Sequence, residues 1–285
     1  MKMKKITLIA SATLLATFAL TSCGSTKAKE AENINFASYT TKTTFDKYNE
    51  AHAKYLALFD LNAGYDLTKY QYTSTQFTSN GNEYVTVSET KENEKFDKAN
   101  SIISKDHSVY ALQTESGTNG FAELNFKTII QKNGEKLDII NENNKSFTTE
   151  EISLDAFKQD SIYLSSFLDT ITGSVDENDK TKVVEYYSDN NVYTLKLSIN
   201  QEDEHEESGI QLKEKTNTET VFQFYVSDTE AYGKLTTDTN VELAYTDNGK
   251  SDTVKKAYKN VKYISLKLGA QTIAKVDTST YSIGE

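Results

Sequence analysis

The spacing of apolar positions changes several times along this chain, and each change predicts a different element. Residues 6–20 form one uncharged run, whereas residues 24–35 contain a single sizeable apolar side chain, Ile34. Phe45, Tyr48, His52, Tyr55, Leu56 and Phe59 then recur near helical spacing, which predicts an amphipathic helix over 44–61 that stops before Gly64. From 65 to about 147 the chain is rich in β-branched and aromatic residues, as in 70–77 and 83–88, with Asn80-Gly81 between them as a hairpin turn. Strands continue at 101–104, 109–112, 121–131 and 136–140, punctuated by Asn133-Gly134 and by a looser turn at 141–144. Helical spacing returns with Leu154, Phe157, Leu164, Leu168 and Ile171, behind Ser153 as an N-cap and ahead of Gly173. Five further strands are expected at 182–187, 192–199, 219–226, 241–245 and 260–268, with turns at 189–191 and 247–249. The order is helix, meander, helix, meander. It fits one continuous sheet or two related halves, and the absence of a residue-by-residue repeat favours one domain over 36–285.

The first 22 residues read as an address. Lys2, Lys4 and Lys5 precede the fifteen uncharged residues of 6–20, a run too short to span a bilayer, which takes about 20 apolar residues. Leu20, Thr21, Ser22 and Cys23 follow. This arrangement resembles the lipobox of bacterial lipoprotein signal peptides. The resemblance implies a diacylglyceryl thioether on Cys23, cleavage before it, and anchoring at the extracytoplasmic face of the cell membrane. Two or more acyl chains hold firmly, at about 0.8 kcal/mol per buried CH₂. Residues 23–35 would then be the lipidated Cys and a flexible tether, reaching about 17–21 Å as a random coil.

Composition narrows the partners. The 285 residues include 31 Lys, no Arg, no Pro, no Trp and one Cys, with 42 acids and a formal charge of −11. Loss of residues 1–22 removes three Lys and no acid, leaving −14. A single Cys gives no disulfide framework or Cys-based zinc site. An acidic chain without Arg is a poor partner for nucleic acid. Nothing in the sequence requires an oligomer, so a monomer is expected.

No arrangement of residues selects a catalytic centre. GxSxG, SxxK, Walker A and GxGxxG are all missing, as is HExxH. Of the three His, His52 reads as a packed residue of the first helix, His107 as part of a loop at 105–108, and His205 as part of a solvated acidic loop at 201–208. Residues 176–179 and 247–252 carry several Asp and Asn but depart from calcium-loop spacing, and read as turns. The chain is therefore expected to be no enzyme and to need no cofactor or metal. Its more telling feature is 18 Tyr and 13 Phe, which fill half-buried strand faces or form a binding face.

Taken together, the lipobox, polar tether, N-terminal helix, hairpin at 126–136 with its Lys132-Asn133-Gly134 turn, short strand ending at Phe147, second helix and long strands resemble the LolA/LppX-like lipoproteins. The resemblance implies an α+β fold: a strongly curved antiparallel sheet, or half-barrel, with amphipathic helices on its concave face. It also implies a ligand, a lipid or lipidated molecule, held between helices and sheet. On this sequence the lining would be Phe45, Tyr55, Phe59, Phe157, Leu164, Leu168 and Ile171. The same positions equally describe a filled core. Two functions stay open: a lipid-anchored surface protein that binds a hydrophobic ligand, and a surface interaction or adhesion module with no small-molecule ligand.

Overall fold

The computed structural model describes residues 36–284 except 37, 60–62, 80–81, 116–117, 155–180, 208–209 and 248–249. Cys23, the tether, and Phe157, Leu164, Leu168 and Ile171 of the second expected helix lie outside the described residues, as do the acidic residues 176–179. No helix among the described residues is long and apolar enough to cross a membrane.

Helix α1 spans Phe45–Leu58, shorter than the expected 44–61 at both ends. Thr44 is its N-cap and accepts from the Lys47 amide at 3.4 Å, while Asp46 in the first turn complements the helix dipole. Phe59 closes the other end, its amide bonding the Leu56 carbonyl at 3.1 Å. Tyr48, Ala51, His52 and Tyr55 form the buried stripe. Fourteen residues are too few for an isolated helix to persist in water, so this stripe's packing holds the helix in place.

Among the described residues, apart from a 3-10 turn at Thr278–Thr280, the remaining regular structure is one sheet. Its strands are β1 (Tyr65–Ser79), β2 (Asn82–Asp97), β3 (Ile102–Glu115), β4 (Thr118–Asn133), β5 (Lys136–Asn141), β6 (Ser146–Glu150), β7 (Lys182–Asp189), β8 (Val192–Glu207), β9 (Ile210–Val226), β10 (Glu230–Asp247), β11 (Lys250–Leu268) and β12 (Ser282–Ile283). Their spatial order is β12-β6-β5-β4-β3-β2-β1-β11-β10-β9-β8-β7. Two hairpin meanders, β1–β6 and β7–β11, are thus joined by the antiparallel β1–β11 pair, in which Tyr65 faces Leu268 and Thr78 faces Lys255. Only β12 pairs in parallel, with β6. The architecture is mainly β and largely antiparallel. It corrects the expected strongly curved half-barrel: the sheet is open, with β7 and β12 at its two ends, and is not strongly curled.

Period-two alternation gives the sheet two distinct faces. One face meets α1, which lies over β7–β10, and there Phe222, Phe224, Leu195 and Leu235 pack against Tyr48, Tyr55 and Phe59. The same apolar layer continues across the sheet through Leu266, Leu67, Phe96 and Ile103 to Leu137. The opposite face is covered at β3–β6 by the C-terminal strap, residues 269–281. Its Ile273, Val276 and Tyr281 pack on Ile102, Ile129, Ile140 and Phe147. Asp97 accepts from the Ile273 amide at 3.0 Å. The Gln131 side chain bonds the Val276 amide and carbonyl, each at 2.9 Å. The strap ends in β12 along the outer edge of β6.

Residues 40–43 guard the opposite edge of the sheet. Thr43 donates to the Tyr186 carbonyl and Ser188 to the Thr41 carbonyl, both at 2.9 Å. Asp189 accepts from the amides of Thr40 and Thr41 at 2.7 and 3.1 Å, and the Thr41 side chain together with these amides pulls its carboxyl down to about 2. Edge strands covered in this way cannot pair with a stranger there.

Strands β8–β11 run much further than their apolar pattern suggested. Residues 201–206 of β8, expected as a solvated loop, are strand, exposed at every position. They pair with β9, where Lys215 meets Glu202 at 2.9 Å and Lys213 meets Glu204. His107 is likewise in strand β3 rather than a loop.

Candidate functional site

Of the lining residues inferred from sequence, Phe45, Tyr55 and Phe59 are among the described residues, and they differ in burial. Tyr55 is fully buried and Phe59 nearly so, both in the aromatic layer beneath α1. Ring centroids in that layer are 5.0 Å apart for Tyr55–Phe224 and 5.1 Å for Tyr55–Phe59. Phe45 stands at the other end of the helix, 54 % exposed, with its ring 5.5 Å from that of Tyr186. Gly233 explains how the layer closes: a methyl group at this strand position would collide with the Tyr55 hydroxyl, so glycine lets the ring lie against β10. Among the described residues, neither Nε2 of His52 nor the Tyr55 hydroxyl has a hydrogen-bond partner. Burial lowers the His52 pKa and raises that of Tyr55, so both groups are held neutral.

A second cluster lies on the same face of β1–β3 and carries charge. Strand pairing sets Glu94 opposite Leu67 and Lys105, and Glu92 opposite Lys69 and His107. Glu94, 1 % exposed, accepts from the Tyr65 hydroxyl and pairs with Lys105 at 2.6 Å. Lys69 holds Glu92 at 2.9 Å, and His107 Nδ1 lies 3.7 Å from it. Burial alone would raise the Glu92 pKa, but His107, Lys69 and Lys105 outweigh it and hold the carboxyl at about 2. Each charge here has its counter-charge, so the cluster reads as structure rather than as an acid or base waiting for substrate. Among the described residues, no group of three or more His, Cys, Asp or Glu side chains is placed to hold a metal ion.

The third place is open. Beyond the reach of α1, where β2, β4 and β5 end, a cleft of about 470 Å³ lies between the sheet and residues 152–154. Phe96, Leu137, Ile152 and Leu154 supply its apolar wall, and Lys98, Lys132 and Lys136, with one acid, Glu135, its charged rim. Lys136 is paired with Glu151 at 2.9 Å. The volume is within the range of small-molecule sites. None of the cleft residues was among the lining residues inferred from sequence, where Leu154 stood only in the second helix's spacing, because the cleft is built by strand ends that approach only in the folded sheet. The one local signal was the density of Lys around the Asn133-Gly134 turn.

No protein-family model matches the chain, and no match is found among curated proteins. Two solved structures are distantly similar in shape. The crystal structure of Pseudomonas aeruginosa OccK5 (OpdH) is 6 % identical, over 72 % of this chain and 99 % of that one, with a TM-score of 0.23. The ywiB protein from Bacillus subtilis is 12 % identical, over 74 % of this chain and 99 % of that one, with a TM-score of 0.13. Similarities this low place the chain in no family.

Proposed function

We propose that this is a lipid-anchored binding protein of the extracytoplasmic membrane face, without catalytic activity, that holds an amphiphile with an anionic head. The observation carrying this reading is the cleft's composition, an apolar wall of Phe96, Leu137, Ile152 and Leu154 beneath the amines of Lys98, Lys132 and Lys136. An acyl chain would lie on the wall and a carboxylate or phosphate would meet the rim. The LolA/LppX-like pattern is the finer form of the same reading. Its helix lies against one sheet face, as α1 does here, although this sheet is open rather than rolled. Cys23 supplies the anchor in this reading.

The full chain carrying Cys23→Ala, purified and examined by native mass spectrometry and by displacement of a fluorescent fatty acid, tests the proposal. Bound lipid or saturable uptake is expected, with uptake reduced several-fold by Lys132→Glu. A chain that carries no lipid and takes up no probe would sink the idea. Membrane fractionation of the same variant tests the anchor, and undiminished membrane association would refute it.

A second reading rests on the far ends of β8–β11. There no described residue is buried on either side of the sheet, the geometry of an interaction surface rather than of a container. It predicts a protein partner whose capture is indifferent to Lys132→Glu.

A further inference from the structure

On the strap-facing side of β8–β11, away from both the strap and the cleft, one cation among the described residues lacks a counter-ion. Lys234 of β10 is partly buried, opposite Gln223 of β9 and Tyr263 of β11. Its basic neighbours on that face have acids: Lys196 meets Glu219 at 2.7 Å, Lys267 meets Glu230 at 3.7 Å, and Lys259 meets Asp238 at 3.9 Å. Among the described residues no carboxylate lies within 4.0 Å of the Lys234 amine. Burial, reinforced by the charge of Lys259, lowers the Lys234 pKa. A partly desolvated ammonium without a partner is costly, and a chain with eleven more acids than lysines has ample means to neutralise one.

The surroundings of Lys234 are chemically mixed in a specific way. In the same row across the sheet stand Thr194, Gln223, Lys234 and Tyr263. The Gln223 amide donates to the hydroxyl of Thr194, itself only 1 % exposed, at 3.4 Å. In the next row the partly exposed rings of Tyr225 and Tyr232 lie 5.9 Å apart, inclined at 38°. A cation, an amide, hydroxyls and a ring pair therefore share one sheet face. No guanidinium exists in the chain, and none of these side chains stands at a helix N-terminus, so the usual means of gripping a phosphate are missing here. The Tyr232 hydroxyl donates to Glu230 at 3.0 Å and the Lys267 amine lies 5.9 Å from the Tyr232 ring centroid, so Lys234 is the ammonium left for a ligand's carboxylate. The amide suits hydroxyl groups, and the Tyr225 ring with the edge of Tyr232 suits the C–H face of a sugar.

We propose that Lys234, Gln223, Tyr225 and Tyr232 form a binding site for a carboxylated sugar, a uronate, whose carboxylate pairs with Lys234 and whose ring lies on the tyrosines. The site is independent of the lipid-binding reading and stands if that reading falls.

Titration of the full Cys23→Ala chain with D-glucuronate, with D-glucose and acetate as controls, tests it by calorimetry. Glucuronate is expected to bind at least about tenfold more tightly than either control, since both the charge and the ring contribute. Lys234→Gln should reduce glucuronate affinity by about tenfold or more, and Tyr232→Leu by several-fold, with far-UV circular dichroism unchanged. Acetylation of Lys234 in the unsubstituted protein, followed by peptide mass spectrometry, should be slowed by glucuronate and not by glucose, a readout that needs no variant to fold. Absence of glucuronate binding, equal binding of acetate, equal binding by Lys234→Gln, or acetylation unaffected by glucuronate would each overturn the proposal.

Discussion

The helix and the strap cover opposite faces of opposite halves of one sheet, and they are held by different forces. Helix α1 satisfies most of its own backbone, so its docking is a matter of rings: Tyr48, His52 and Tyr55 against Phe222 and Phe224. The strap has almost no regular structure of its own, and its amides and carbonyls need partners from outside. Asp97 and Gln131 provide them, and the apolar contact with Ile102, Ile129 and Ile140 is smaller. A segment that brings its own hydrogen bonds can be held by area alone. One that does not must be held by named polar side chains.

The contrast can be broken most forcefully from the helix side. Tyr55→Ala should destabilise the protein by about 3–5 kcal/mol in urea unfolding, because it removes a fully buried ring from the closest-packed part of the layer. A loss below about 1 kcal/mol would show that the layer does not hold the helix. On the strap side, Gln131→Ala should cost less, about 1–2 kcal/mol, since it strands the half-buried amide and carbonyl of Val276. Amide exchange should then rise at Val276 and leave α1 unaffected.

The smallest effect is in pH. The folded His52 has a pKa below its ordinary value of 6.5, so the unfolded chain takes up a proton first as pH falls. Its contribution is complete above about pH 6.5 and declines as pH drops from there toward the lowered folded value. The strap responds later. Asp97 and Glu142 have pKa values below their ordinary 3.8 and 4.5, so their contribution is present above those values and lost only on further acidification. Unfolding measured at pH 7.5 and 5.5 should therefore show a loss that His52→Phe removes. An unchanged loss in that variant would assign it elsewhere.

Much of the sheet was legible because turns announce themselves: the chain reverses at Gly134, with φ +63°, and at Asn190 and Asn191, both with positive φ. The helix was legible because its buried side repeats at 48, 52 and 55. Strand length was not. Residues 201–206 have no apolar alternation because neither side is buried, and what places them in a strand is the partner ladder with its Lys213 and Lys215 pairs. Sheet curvature was also hidden, since the same alternation serves a rolled sheet and an open one. The charges of buried Glu94 and half-buried Glu92, Lys69 and Lys105 were invisible for a related reason. A run such as Lys91-Glu92-Asn93-Glu94-Lys95 looks solvated until its neighbours across the sheet are known.

The clamp of Asp189 on Thr40 and Thr41 has a mechanical meaning. A pull arriving through the N-terminal residues enters the molecule at the outermost strand and meets this carboxylate first. Because the neighbouring segment lies along β7, the load bears on successive bonds one at a time rather than on a whole strand in shear. With its pKa near 2, Asp189 remains charged through mild acidification, and this first bond of the zipper stays fastened.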